Sequence, residues 1–142
     1  MQLALDLSLP ADKNLLAVTR QVVRLYLREF GTPGDVIDDV VLAMDEACSN
    51  VVEHAFPQPA DKNYRLRADL RAGKILIEVL DDGIGFDVMA KPRPRPDEDS
   101  LATGGRGLEV MRRLMTTVEV ESPTATGGTR LRLVRVLPPT GH

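Results

Sequence analysis

One predicted helix carries acidic and amide side chains together on a single face. Residues 32–55 follow helical spacing, with an N-cap at Thr32 and a broad apolar face that contains Cys48. At about 100° per residue, Glu46 and Asn50 fall on the opposite side of this helix. Such a face offers proton acceptors and hard oxygen ligands, although an ordinary solvated surface has the same pattern. Cys48 is interpreted as a core residue.

A short acidic and glycine-rich motif follows a predicted buried strand. The run Asp81-Asp82-Gly83-Ile84-Gly85-Phe86 comes directly after the apolar strand at 75–80. A carboxylate at the end of a strand, followed by alternate glycines, lets the backbone pass close to a flat ligand. A simple turn explains the motif equally well, so the pattern alone leaves both interpretations open.

A second glycine-rich motif, Gly104-Gly105-Arg106-Gly107, precedes a helix with apolar residues from Leu108 onward. Glycine-rich backbone at a helix N-terminus presents N–H groups and the positive end of the helix dipole to a phosphate, and an arginine adds a planar set of donors. The alternative is the flexible end of a loop. The motif is not a Walker A loop, and the only Gly-Lys pair in the chain, Gly73-Lys74, lacks the Ser or Thr that such a loop requires.

The elements that must position these motifs are strands and helices in mixed order. Hydrophobic periodicity predicts helices from Asp12 to a glycine cap at Gly31, over 32–55 and over 108–115, and strands over 2–9, 64–71, 74–80, 117–121 and 129–136. The predicted fold class is therefore α+β. We expect a two-layer sandwich in which three main helices cover one face of a mixed five-stranded sheet.

Length and composition restrict the classes of function. The 142 residues suit one domain over 1–142, with a mobile, proline-rich lid at about 87–104. A net charge of −3 argues against direct nucleic-acid binding. One cysteine and two histidines argue against an internal disulfide and a zinc site. No apolar run is long enough for a bilayer, and we expect a cytoplasmic protein.

Taken in order, the motifs resemble those of the GHKL ATPases, which share the Bergerat ATP-binding fold and include gyrase-type topoisomerases, histidine kinases and mismatch-repair proteins. The segment Asp45-Glu46-Ala47-Cys48-Ser49-Asn50-Val51-Val52-Glu53-His54-Ala55 is similar to the N-box of bacterial anti-sigma-factor serine kinases of the RsbW and SpoIIAB type. Histidine kinases usually have an asparagine where Glu46 stands. The resemblance extends from the first helix to Val136.

The resemblance implies a role for each motif residue. Glu46 would be the general base, and Asn50 would be the Mg²⁺ ligand. Asp81 would accept a hydrogen bond from the adenine amino group. The other nucleotide-binding residues would be Gly83 and Gly85 at the adenine, Gly105, Arg106 and Gly107 at the phosphates, and Thr129 in support of the adenine aspartate. The implied cofactors are ATP and Mg²⁺.

The resemblance also implies a function. The chain would be an ATP-dependent serine/threonine kinase that acts as an anti-sigma factor and phosphorylates a STAS-domain anti-anti-sigma protein in a partner-switching circuit. The implied partners are that STAS protein, a sigma factor and a second copy of the chain, without nucleic acid or membrane. Two alternatives stay open, namely a nucleotide-gated regulatory module without catalysis and a detached histidine-kinase catalytic domain. Glu46 argues against the second alternative.

Overall fold

A computed structural model describes residues 4–54, 63–81, 104–121 and 128–139 of the chain. The described helices are α1 (Leu16–Glu29), which follows a 3₁₀ turn at Lys13–Leu15, α2 (Gly34–His54) and α3 (Gly104–Leu114). The described strands are β1 (Leu5–Pro10), β2 (Asn63–Arg71), β3 (Lys74–Asp81), β4 (Thr117–Glu121) and β5 (Thr129–Val136). The predicted α+β class and the predicted order of elements are confirmed.

The five strands form one sheet in the order β1-β2-β3-β5-β4. Every neighbouring pair is antiparallel, so the expected mixed sheet is wrong in this respect. Between β1 and β2 the chain passes through two helices and returns to the end of the sheet where β1 finishes, with Pro10 opposite Asn63, so the two strands are antiparallel. Strands β3 and β4 run in the same direction, because both are antiparallel to β5, but β5 lies between them.

Local sequence signals account for several element boundaries. The Asp12 side chain accepts a hydrogen bond of 2.9 Å from the backbone N–H of Asn14 and starts the first helical segment. Gly31 ends this segment with a φ of +85°, a conformation that glycine adopts without steric cost. Ala72 and Gly73 join β2 to β3 with φ values of +52° and +77°, the signature of a tight type I′ hairpin turn.

The helices cover one face of the sheet and enclose an aliphatic core. The inward rows of neighbouring strands contribute fully buried residues such as Leu66, Ile77 and Leu133, and α2 contributes Val40 and Met44. With so few aromatic rings in the chain, branched and unbranched aliphatic side chains fill this space. The α2 helix contacts both α1 and α3, which places it at the centre of the helical layer.

The other face of the sheet is charged. One row crosses all five strands with alternating sign, and its members are Asp6, Arg67, Glu78, Arg132 and Glu119. Within it, the Nε and Nη2 atoms of Arg132 donate hydrogen bonds of 3.1 and 2.9 Å to Glu78 Oε2. Opposite charges on neighbouring strands attract each other at this spacing. The arginines at alternate strand positions therefore stabilise the outer face of the sheet.

Two further expectations concern the lid and membrane-spanning helices. The lid predicted at about 87–104 lies outside them, except for Gly104, which begins α3. The described helices include none that is long and apolar enough to cross a membrane.

Candidate functional site

Glu46 and Asn50 lie one turn apart on α2 and face the first turn of α3. The Asn50 side chain is buried, with the residue 5% exposed, and Glu46 is half-buried. A Cβ atom added to Gly107 would lie 3.2 Å from Glu46 Oε1, 3.5 Å from Asn50 Nδ2 and 3.7 Å from Asn50 Oδ1. The absence of a side chain at Gly107 therefore lets two polar side chains approach the backbone of α3. Three residues that the sequence predicts for one site are together.

The environment of Glu46 makes its carboxylate more basic than usual. Burial raises the pKa of Glu46, and the negative charges of Asp45 and Glu53 raise it further. Asp45 itself is paired with Arg20, whose Nη1 lies 3.0 Å from Asp45 Oδ1. A carboxylate with a raised pKa accepts a proton more readily, which is the property that a general base needs.

Asp81 occupies the last position of β3 and is buried. It lies directly opposite Thr129 on β5, and it is 2% exposed while Thr129 is fully buried. On the other side, Asp81 lies opposite Tyr64 of β2, which is also buried. Residues directly opposite each other on antiparallel strands have Cβ atoms about 4.5–5.5 Å apart. The structure therefore places the predicted adenine aspartate beside its predicted supporting threonine.

Cys48 of α2 lies between Glu46 and Asn50 in the chain and is fully buried. Burial raises the pKa of the Cys48 thiol to about 12, so the thiol stays protonated at neutral pH and is not a nucleophile. The interpretation of Cys48 as a buried core residue is confirmed.

Sequence reasoning missed Tyr64 as a member of this site. Its inward position in β2 was predictable from the strand periodicity, and a buried tyrosine hydroxyl generally requires a hydrogen-bond partner. Its place beside Asp81 could not be named from the pattern, because strand pairing joins residues that are distant in the chain.

The glycine-rich motif before the third helix differs from expectation in one respect. Gly104 to Gly107 form the first turn of α3 and do not precede the helix as a loop. The first backbone N–H groups of a helix have no partner within it. Those groups and the helix dipole still favour an anion at this end. Gly83, Gly85 and the side chain of Arg106 lie outside the described residues.

The sequence matches the family model of the histidine kinase-like ATPase domain over residues 9–135. The chain is 31% identical over 124 residues to the serine-protein kinase RsbW of Halalkalibacterium halodurans, covering 82% of this chain and 75% of the relative. It is 29% identical over 116 residues to the anti-sigma F factor of Clostridium beijerinckii, covering 78% of this chain and 79% of the relative.

A solved structure has the same fold. The crystal structure of the RsbU and RsbW domains of a Mycobacterium tuberculosis protein superposes with a TM-score of 0.69 at 23% sequence identity, covering 97% of this chain and 34% of that one. The family match covers most of the chain, and the element order and the matching relatives agree with it. The chain therefore belongs to the histidine kinase-like ATPase (GHKL) family and, within it, to the RsbW and anti-sigma F factor type.

Proposed function

We propose that the chain is an ATP-dependent serine/threonine kinase that acts as an anti-sigma factor and phosphorylates a STAS-domain anti-anti-sigma protein. One observation carries this proposal, namely that Glu46 and Asn50 lie together against Gly107 at the start of α3. This arrangement brings a basic carboxylate and an amide to the helix end that favours phosphate. The names of the relatives, serine-protein kinase and anti-sigma F factor, support the same function.

In this proposal the nucleotide spans two groups of residues. Asp81 accepts a hydrogen bond from the adenine amino group, and Thr129 supports that aspartate from the opposite strand. The backbone at Gly83 and Gly85 borders the base. The phosphates lie at the N-terminal end of α3, near Gly105, Arg106 and Gly107. The burial of Asp81 at a strand end supports this assignment, because a buried carboxylate accepts hydrogen bonds in place of water.

The residues at α2 suit a magnesium ion that arrives with ATP. Mg²⁺ bound to nucleotides usually takes one or two protein oxygen ligands and completes its shell with phosphate oxygens and water. The Asn50 amide oxygen would provide one such ligand without adding charge, and it lies close to the first turn of α3, 3.7 Å from the position of an added Cβ on Gly107. The ion would neutralise the charge that develops on the phosphates during transfer.

Glu46 would accept the proton of the attacking serine hydroxyl. The serine oxygen forms a bond to the γ-phosphorus while the bond from that phosphorus to the ADP oxygen breaks, and the serine proton moves to the Glu46 carboxylate. The raised pKa of Glu46 supports this role. The resulting phosphoserine has about −1.5 to −2 charges, enough to disrupt a complementary interface and so release the partner.

The experiment is phosphoryl transfer from labelled ATP, with Mg²⁺, to candidate STAS-domain proteins. We expect an acid-stable phosphoserine or phosphothreonine product with the native chain and no transfer with Glu46→Gln. Glu119→Gln is the matched control, because Glu119 lies on the outer charged face of the sheet, and it should transfer normally. Transfer that is unaffected by Glu46→Gln would contradict the proposal. An acid-labile product would indicate a histidine kinase, and ATP-dependent partner binding without product would indicate a regulatory module.

A further inference from the structure

Arg135 is a charged side chain on the sheet face that the helices cover. It lies opposite Ile75 of β3, which is fully buried, whereas Arg132 of the same strand lies on the outer face. The Nη1 atom of Arg135 donates two hydrogen bonds, one of 2.9 Å to Asp39 Oδ2 of α2 and one of 2.8 Å to the backbone carbonyl oxygen of Leu114. One nitrogen atom of β5 therefore joins two helices.

These bonds fix the C-terminal end of α3. Leu114 is the last residue of this helix, and the final carbonyl groups of a helix have no partner within it. A cation at this end satisfies such a carbonyl and interacts favourably with the negative end of the helix dipole. The backbone N–H of Thr116 also donates a hydrogen bond of 2.7 Å to the Val134 carbonyl oxygen. The end of α3 is therefore attached to β5 as well as to α2.

The same face of α2 meets both ends of α3. Asp39 and Glu46 are seven residues apart, so they point within about 20° of each other and lie about 10.5 Å apart along α2. Leu114 and Gly107 are also seven residues apart and have the same separation along α3. Glu46 lies against the backbone at Gly107, and Asp39 is joined to Leu114 through Arg135. The two helices are thus held together at two matched points.

We propose that Arg135 is a positioning residue, which holds the C-terminal end of α3 against α2 and so sets the distance between Gly107 and Glu46. This inference rests on the proposed function, because it concerns where the phosphates lie relative to the general base. Arg135 acts through α3 and not on the nucleotide itself, since it lies six residues from Thr129 along β5, about 20 Å away.

The length of α3 converts a small tilt into a displacement at the reacting groups. If the end at Leu114 is released, a tilt of about 3° moves Gly107, about 10.5 Å away, by about 0.5 Å. A misplacement of about 1 Å can reduce a rate about 100-fold, so about 0.5 Å corresponds to about ten-fold. Asp81 and Thr129 belong to the sheet, so the adenine contacts do not depend on this tilt. Loss of Arg135 should therefore lower the transfer rate more than the affinity for ATP.

The test begins with kinetics of the whole chain. Arg135→Ala should reduce single-turnover phosphoryl transfer at saturating ATP about ten-fold, while the ATP concentration for half-maximal rate stays within about two-fold. Arg135→Lys should restore most of the rate, because both hydrogen bonds come from one nitrogen and a lysine ammonium has three donors. Asp39→Ala should cause a smaller loss, and combining it with Arg135→Ala should cause no further loss.

Spin labels report the position of α3 independently of catalysis. Leu42→Cys on α2 and Glu109→Cys on α3 place labels at exposed positions, whereas the native Cys48 is fully buried and stays unlabelled. We expect electron paramagnetic resonance to detect a shifted or broadened distance between the labels in Arg135→Ala and the native distance in Arg135→Lys.

The matched control is Arg132→Ala. Arg132 lies on the same strand and also donates two hydrogen bonds, but to Glu78 on the outer face of the sheet. This variant should lower the urea midpoint to a similar extent, while its transfer rate and its label distance stay native.

The outcomes separate this inference from the proposed function. A native transfer rate in Arg135→Ala, an equal loss of rate in Arg132→Ala or an unchanged label distance would overturn the positioning role even if the chain is a kinase. If the native chain transfers no phosphate to any candidate, the proposed function fails. A changed label distance in Arg135→Ala would then still support Arg135 as the residue that places α3 against α2.

Discussion

Replacing Gly107 with alanine tests the site most directly, because it adds a single methyl group where α2 and α3 meet. The new Cβ would lie 3.2 Å from Glu46 Oε1 and 3.5 Å from Asn50 Nδ2. The carboxylate must then retreat by a few tenths of an ångström. Glu46 is half-buried and its side chain is flexible, so it can move without disturbing the core.

The magnitudes for activity and stability differ. A misplacement of about 1 Å at a reacting group can reduce the rate about 100-fold, so a shift of about 0.3 Å should reduce phosphoryl transfer by about four-fold. Stability should change little, because alanine is favoured over glycine in helices by up to about 1 kcal/mol. This gain offsets the closer contact. We therefore expect a variant that folds normally and transfers phosphate slowly.

The assay is single-turnover transfer from ATP to the proposed STAS-domain partner, combined with urea unfolding. Gly34→Ala is the matched control, since Gly34 also lies in the first turn of a helix but an added Cβ there meets nothing within 4 Å. This control should keep the native transfer rate. A Gly107→Ala variant that transfers at the native rate would refute the placement of Glu46 and Asn50 against α3. An equal loss in both glycine variants would indicate a general effect of alanine at helix ends.

Three other predictions follow from local geometry and charge. Because the pKa of Glu46 is raised by folding, the stability that its protonated form provides is present below its unfolded pKa of about 4.5 and lost as pH rises through the folded value. Glu46→Gln should therefore be more stable than the native chain at neutral pH, and urea midpoints should converge at low pH. Ala72→Asn should stabilise the β2–β3 turn by about 0.5–1 kcal/mol, measured by calorimetry, because asparagine tolerates positive φ better. Arg135→Ala should cost about 1–2 kcal/mol in urea unfolding, since its Nη1 donates a 2.8 Å bond to the Leu114 carbonyl oxygen. Arg113→Ala removes only an exposed ion pair with Glu109 at 3.4 Å and should cost under about 0.5 kcal/mol. Equal losses of stability in Arg135→Ala and Arg113→Ala would contradict this difference between a part-buried and an exposed arginine.

Periodicity predicted most of the individual elements. The N-cap predicted at Thr32 was wrong, because the Thr32 hydroxyl oxygen is buried without a hydrogen-bond partner among the described residues and the helix begins at Gly34. The two faces of α2 followed from helical spacing, and the structure confirms both, with Cys48 in the core and Glu46 half-buried on the other side. Asp81 was predicted at the end of a strand, and it is the last residue of β3. These features depend on neighbours within one or two turns or on alternate positions of a strand, so the local sequence contains the necessary information.

The relations between elements depended on tertiary structure. Thr129 lies opposite Asp81 because β5 enters the sheet next to β3, and no local pattern specifies the order of strands. The same holds for Gly107 against Glu46 and for Tyr64 against Asp81, since each pair joins residues that are distant in the chain. The expectation of a mixed sheet was wrong for the same reason. The direction of each strand depends on how many helices lie in the connection before it, and the local pattern does not specify how those helices pack.

The sequence by itself determined which residues are chemically capable and on which face of which element they lie. It also determined the family, since four short motifs in the right order resemble few other folds. Only the tertiary structure decided that the basic carboxylate, the amide and the helix glycine meet at one place, and that Asp81 lies between Tyr64 and Thr129 in the sheet. The physical reason is that side-chain periodicity arises from short-range backbone geometry, whereas the site arises from packing between distant segments.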